Sequence, residues 1–225
     1  MRVKPKRIKF KLRQYHVDAR YKLGWNHKRI DPYDGRSNFA GIVLHHTAGV
    51  NSEEYIAHGN PYAPVRACHF LVTETGKVVV MSGSGAYHAG RGGPWRFPRK
   101  GRDVVIAKDS GNSRLWGIEI ESLGKSAKVG PSEFPDGMNT EQIVSTAFLC
   151  AALLNAGRPG WRSWPVSRVI SHRMWAPGRK VDVKQSISWW HEVIGIARRY
   201  AKNNPELAAS LIRTFVAKHP NGRMR

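Results

Sequence analysis

With 225 residues, 41% of them hydrophobic, the chain can bury one sizeable core and is short for two. Its 37 Lys and Arg against 16 Asp and Glu give a formal charge of +21, which points to a polyanionic partner: nucleic acid, an anionic membrane or an acidic cell wall. No apolar run reaches the length of a membrane-spanning helix, and two widely separated cysteines, Cys68 and Cys150, exclude a disulfide framework.

Residues 1–38 read as a basic, irregular arm, punctuated by Pro5, Pro32 and the turn-like Asp34-Gly35, whose second half can pack on the core. The first twenty residues are positive but have no apolar stretch behind them, so a secretory signal is not expected. The compact domain begins at Phe39. Residues 41–45, GIVLH, are a β-branched run that suits a buried strand, and residues 51–58 suit a short helix with an Asn or Ser cap. Two strands over 67–74 and 77–82 are expected to form a hairpin across Thr75-Gly76. Residues 83–114, rich in Gly, Arg and Pro, read as one long loop of the kind that carries function.

Residues 115–122 are a further strand. Asn139 or Thr140 caps a strong helix to Leu154, stopped by Asn155-Ala156-Gly157. Cys150 lies in its apolar run as a buried thiol. A short strand over 169–171 leads into a loop, a helix covers about 184–202, and Pro205 opens a last helix to about Lys218. This alternation predicts an α/β fold: a single domain with a central, mainly mixed β-sheet flanked by helices. The boundaries are an arm over 1–38, a main α/β domain over 39–202, and a C-terminal helix with a basic tail over 203–225.

A catalytic metal needs about three protein ligands and one open position. From the residues alone the candidates are His45 or His46, at the end of the first strand, and the segment from His172 to Asp182. A His-His pair on a strand is equally consistent with packing, so the residues by themselves leave the question open.

Five segments occur in a telling order: IVLHHTA at 42–48, ACHFLV at 67–72, YHAG at 87–90, GIEIE at 117–121, and His172 to Asp182 with Lys180 two residues before the Asp. In this order, over about residues 40–195, the chain resembles the type-2 N-acetylmuramoyl-L-alanine amidases, a family of wall-recycling amidases, phage endolysins and peptidoglycan recognition proteins. The spacing of the last segment is similar to that of the recycling enzymes. The resemblance implies one Zn²⁺ held by His45, His172 and Asp182, with Glu119 as general base and Lys180 stabilising the oxyanion. It implies hydrolysis of the bond between N-acetylmuramic acid and L-alanine in peptidoglycan. His69, His88, Asn112 and Trp175 are candidate substrate contacts, and His69 and His88 equally suit bracing of the ligands. Glu121, with the same strand parity as Glu119, is a rival base.

The chain departs from the family at three places. Cys68 stands where some relatives have a Tyr, which moves the base role to Glu119; Val183 stands where Pro is common; and Arg179 is placed to share the oxyanion task. Two other readings compete with the enzyme. A non-catalytic peptidoglycan binder would lack a complete ligand set, whereas here Glu119, Lys180 and Asp182 are all present. A nucleic-acid binder is raised by the charge and by Tyr15, Tyr21 and Trp25 within the arm. The charge suits anionic wall polymers better, with the arm as tether. Without an expected signal, the reading becomes a phage or prophage endolysin held in the host cytoplasm until a holin-type pore releases it to the wall.

Overall fold

The computed structural model describes residues 15–17, 19–21, 39–59, 66–82, 85–98, 103–124, 135–156 and 163–224. Residues 1–14, the expected turn at Asp34-Gly35, Trp25 and the helix stop at Gly157 lie outside the described residues. In chain order the elements are β1 (Ala19–Tyr21), β2 (Gly41–His46), α1 (Glu53–His58), β3 (Phe70–Val72), β4 (Val78–Val80), β5 (Trp95–Phe97) and β6 (Val104–Ile106). Then follow α2 (Gly111–Arg114), β7 (Leu115–Ile120), α3 (Thr140–Ala156), β8 (Val169–Ser171), α4 (His172–Trp175), α5 (Ile187–Tyr200) and α6 (Pro205–Lys218).

Six strands form one sheet in the order β1-β4-β3-β7-β2-β8. The β3–β4 hairpin is antiparallel and the other pairings are parallel, so the sheet is mixed, as the sequence predicts. The central strands β2 and β7 are buried on both faces, which is why they read as near-continuous apolar runs. Strand alternation sends Ile42, Leu44, Trp116, Ile118 and Ile120 to one face, where they pack with α3, α5 and α6 in the main core. Thirteen of the seventeen residues of α3 are buried. Its start is a reciprocal cap: Gln142 N–H donates to Asn139 Oδ1 and Asn139 N–H to Gln142 Oε1, both at 2.9 Å. Ser186 and Asn204 cap α5 and α6 through one bond each, their side chains accepting from Trp189 N–H and Leu207 N–H.

The opposite face carries Val43, His45, Leu115, Gly117 and Glu119. Among the described residues no long helix covers it. Phe97, Ile106, Ala89 and Trp175 cover one part, and Ile56, Ala57, Cys68 and Met81 pack on Leu71 and Val79 over the other. The site therefore forms where parallel strands end and short segments can converge.

Two expectations are corrected. Residues 83–114 are not one loop: β5 and β6 pair as an antiparallel ribbon within them, and α2 precedes β7. Three-residue strands are too short to show a period, so the pattern was invisible. The arm is not wholly irregular either. Backbone pairing of Ala19–Tyr21 with Val78–Val80 makes it the edge strand, and Tyr15 and Val17 are buried in the main core. Among the described residues no helix is long and apolar enough to cross a membrane.

Candidate active site

His45 is the fifth residue of β2, at the carboxyl end of the strand, and its register partner on β7 is Glu119. His172 follows β8 directly and opens α4. Asp182 returns to the same place because Arg173 N–H donates to the Asp182 carbonyl at 2.7 Å, closing the loop between them. Three buried side chains thus meet. His45 Nδ1 and His172 Nδ1 are 2.8 Å apart, and Asp182 Oδ2 lies 3.0 Å from His172 Nδ1 and 3.4 Å from His45 Nδ1.

The donor set suits a metal ion. His172 Nε2 sits 3.0 Å from the Ala89 carbonyl, which only accepts, so that nitrogen carries the hydrogen and Nδ1 of the neutral ring is a lone-pair donor. Three lone-pair atoms facing one point require a cation or a shared proton between them. Their spacings of 2.8, 3.0 and 3.4 Å bracket the edge of about 3.3 Å that a tetrahedron with bonds of about 2.0–2.1 Å would have. The group His45–His172–Asp182 can hold a metal ion. Burial, reinforced by His172, lowers the His45 pKa to about 3, so the ring is neutral at neutral pH, as a ligand must be. Burial alone would raise Asp182, but the neighbouring His172 and His45 rings outweigh it and hold the carboxyl well below its usual range.

Glu119 lies beside this triangle. Its Oε2 is buried and has no hydrogen-bond partner among the described residues. Burial first, then the Asp182 charge, pushes its pKa up to about 8, against the opposing pull of the Lys180 ammonium. Lys180 also acts electrostatically on His45, so its charge is felt on both sides of the site. Glu121, despite its parity, is turned elsewhere: β7 ends at Ile120, and the Glu121 carboxylate accepts from Ser52 N–H at 2.5 Å and Glu74 N–H at 3.1 Å. Arg179 donates to the carbonyls of Ala89 (3.0 Å) and Arg91. His46 points away from the triangle, with Nε2 3.7 Å from Asp136 Oδ1.

The remaining candidates surround this triangle. His88 Nδ1 is 3.0 Å from His45 Nε2, and His88 Nε2 is 3.0 Å from the Leu115 carbonyl; burial, then His45 and His69, holds His88 well below its usual pKa. His69 is fully buried, accepts from Gly117 N–H at 2.9 Å and meets Phe39, Trp116 and His88 edge-on. Asn112 Oδ1 accepts from Ala89 N–H (2.8 Å) and Gly90 N–H (3.3 Å). Trp175 is fully buried, and a Cβ on Gly92, Gly93 or Gly111 would collide with it. Cys68 is buried beside Glu119, and burial together with that carboxylate raises its thiol pKa, so it stays protonated. Gly117 was not singled out by sequence. A glycine inside a strand, the usual mark of a close approach, was the available signal.

Residues 35–185 match the family model for N-acetylmuramoyl-L-alanine amidase. The chain belongs to this family. Among solved structures, that of a selenomethionine AmpD derivative has a TM-score of 0.50 at 17% identity, over 80% of this chain and 96% of that one. AmpDh3 from Pseudomonas aeruginosa has a TM-score of 0.48 at 23% identity, over 78% of this chain and 65% of that one. The endolysin N-acetylmuramoyl-L-alanine amidase LysCS from Clostridium intestinale has a TM-score of 0.42 at 16% identity, over 72% and 86% respectively. No curated protein matches the sequence. The likeness to AmpD establishes that this amidase-family chain has the α/β fold expected from its sequence, and family membership supports peptidoglycan amidase activity.

Proposed function

We propose that the protein is a Zn²⁺-dependent N-acetylmuramoyl-L-alanine amidase that cleaves the amide between the lactyl group of muramic acid and the first L-alanine. The observation that carries this reading is the buried His45–His172–Asp182 triangle beside Glu119, whose Oε2 has no partner among the described residues, in a chain of the amidase family. Two imidazoles and one carboxylate are a donor set suited to zinc. Zinc held there would act as a Lewis acid on the scissile carbonyl and bring the pKa of a water down to about 7.

The chain's own residues supply the rest. Glu119 accepts a proton from the attacking water and returns it to the alanine nitrogen as the C–N bond breaks, leaving a muramyl carboxylate and a free peptide amine. Lys180 faces the negative charge that develops on the carbonyl oxygen, where one well-placed donor is worth about 3 kcal/mol. Asn112 and Trp175 act by shaping the 88–93 segment, since the amide oxygen of one is engaged by backbone and the other has no exposed face. His69 holds Gly117 in the sheet. The charge of +21 supports a wall-degrading endolysin that gathers on anionic wall polymers before release of the stem peptides.

Metal analysis of the purified protein, with mass analysis of digested peptidoglycan, tests the reading. One zinc per chain and peptides with a free N-terminal L-alanine are expected. New reducing sugar ends, or full activity after zinc is stripped, would overturn it.

A further inference from the structure

We propose that His88, seated against Gly117, is a positioning residue that fixes His45 in the tautomer presenting Nδ1 to the metal. This rests on the zinc reading above and adds what decides the ligand atom of the first histidine.

A chain of acceptors settles where each hydrogen sits. The Leu115 carbonyl can only accept, so His88 Nε2 must donate across their 3.0 Å contact. A neutral His88 then has a lone pair on Nδ1. His45 Nε2, 3.0 Å away, must be the donor to it. With its hydrogen on Nε2, neutral His45 keeps a lone pair on Nδ1, the atom turned toward His172 and Asp182. The direction of the whole relay comes from one backbone carbonyl on β7.

The relay needs its ring held in place, and the backbone does this from both sides. Tyr87 N–H donates to the Arg66 carbonyl at 2.9 Å, and Ala89 N–H donates to Asn112 Oδ1 at 2.8 Å. The His88 ring lies flush on β7 only because residue 117 has no side chain: a Cβ there would stand 2.4 Å from His88 Cγ and 2.5 Å from Nδ1. His45 and His88 meet at 84° with centroids 5.1 Å apart, an edge contact that aims Nε2 at Nδ1. Asn112, Gly117 and the Leu115 carbonyl, none of which reaches the ligand triangle, thereby act on it through one imidazole.

The test uses the full chain with three substitutions. His88→Gln can still accept from His45 Nε2–H with its amide oxygen and donate to the Leu115 carbonyl with its amide nitrogen. His88→Leu can do neither, and Gly117→Ala pushes the ring away. Two readouts are taken: zinc affinity by competition with a chromophoric chelator, and the imidazole tautomers of the metal-free protein by two-bond ¹H–¹⁵N correlation spectra. His45 is expected as the Nε2–H tautomer in the wild type and in His88→Gln. In His88→Leu and Gly117→Ala that signal should be lost or mixed, and zinc affinity should fall by about 10–100-fold, with His88→Gln recovering most of it. An unchanged His45 tautomer in a folded His88→Leu variant overturns the proposal, as does a wild type in which His45 Nε2 carries no hydrogen. A wild type with the expected tautomer and no zinc affinity overturns the zinc reading instead. The two failures are thus told apart.

Discussion

Replacing Glu119 with Gln keeps the side chain's shape and removes its charge, so it separates the two consequences of placing a carboxylate in this site. The buried Oε2 has no partner among the described residues, and burial together with Asp182 raises the pKa from an ordinary 4.5 to about 8. A group whose folded-state pKa is raised lends stability that is fully present below its unfolded value and is lost as pH rises through the folded one. Metal-free wild type should therefore lose stability relative to Glu119→Gln between pH 5 and pH 8. Titration at about 1.36 kcal/mol per pH unit sets an upper bound of about 3.5 kcal/mol over that interval; the residual solvent contact of Glu119 reduces this to about 2 kcal/mol. Urea unfolding of both proteins in chelator at the two pH values measures it, and the pH-independent cost of the amide cancels in the difference. The zinc-loaded variant should meanwhile keep its metal and lose about 10²-fold or more in turnover, the scale of a general base. Parallel stability profiles would refute the burial argument. Normal turnover by Glu119→Gln, with loss in Glu121→Gln, would refute the base assignment.

His45→Ala should abolish stoichiometric zinc binding while His46→Ala retains most of it, because only His45 faces His172 and Asp182; metal analysis after gel filtration gives the answer, and the reverse pattern would mean the wrong histidine was chosen. Gly41→Ala should lower stability by about 1–3 kcal/mol, since its Cβ would stand 2.6 Å from Phe97 Cζ and 2.7 Å from the Arg168 carbonyl; an unchanged melting temperature would rule out that collision. Removing residues 1–14, which hold seven basic and no acidic residues, should lower wall binding far more than hydrolysis of a soluble muramyl peptide and flatten the salt dependence of that binding, given a Debye length of about 8 Å at physiological salt. Equal salt slopes would remove the tether role. Removing residues 1–38 should in addition destabilise the fold by several kcal/mol, about 1.5–3 kcal/mol for each of Tyr15 and Val17 withdrawn from the core, and unaltered denaturant unfolding would contradict that packing.

What the sequence by itself determined was local. The β-branched run at 42–44, the apolar register of α3 with its Asn139 cap, and Pro205 at the start of α6 each act within a few residues, and β2, β8, α3 and α6 lie where those signals put them. The order of the histidine and acid motifs made the family legible, and with it the three side chains, His45, His172 and Asp182, that the fold brings together. Tertiary structure decided what depends on pairing across the chain. Strand parity alone allowed Glu121 as readily as Glu119, and only the arrival of Ser52 and Glu74 N–H groups turns Glu121 away. The edge strand in the basic arm exists because β4 offers it a partner, not because residues 19–21 announce a strand. His88 reads as one more histidine in a glycine-bounded loop until it is set against residues 43 positions before it and 27 after it. Such contacts are chosen by close packing and by the demand that every buried donor and acceptor find a partner, and neither constraint is written in any short stretch of sequence.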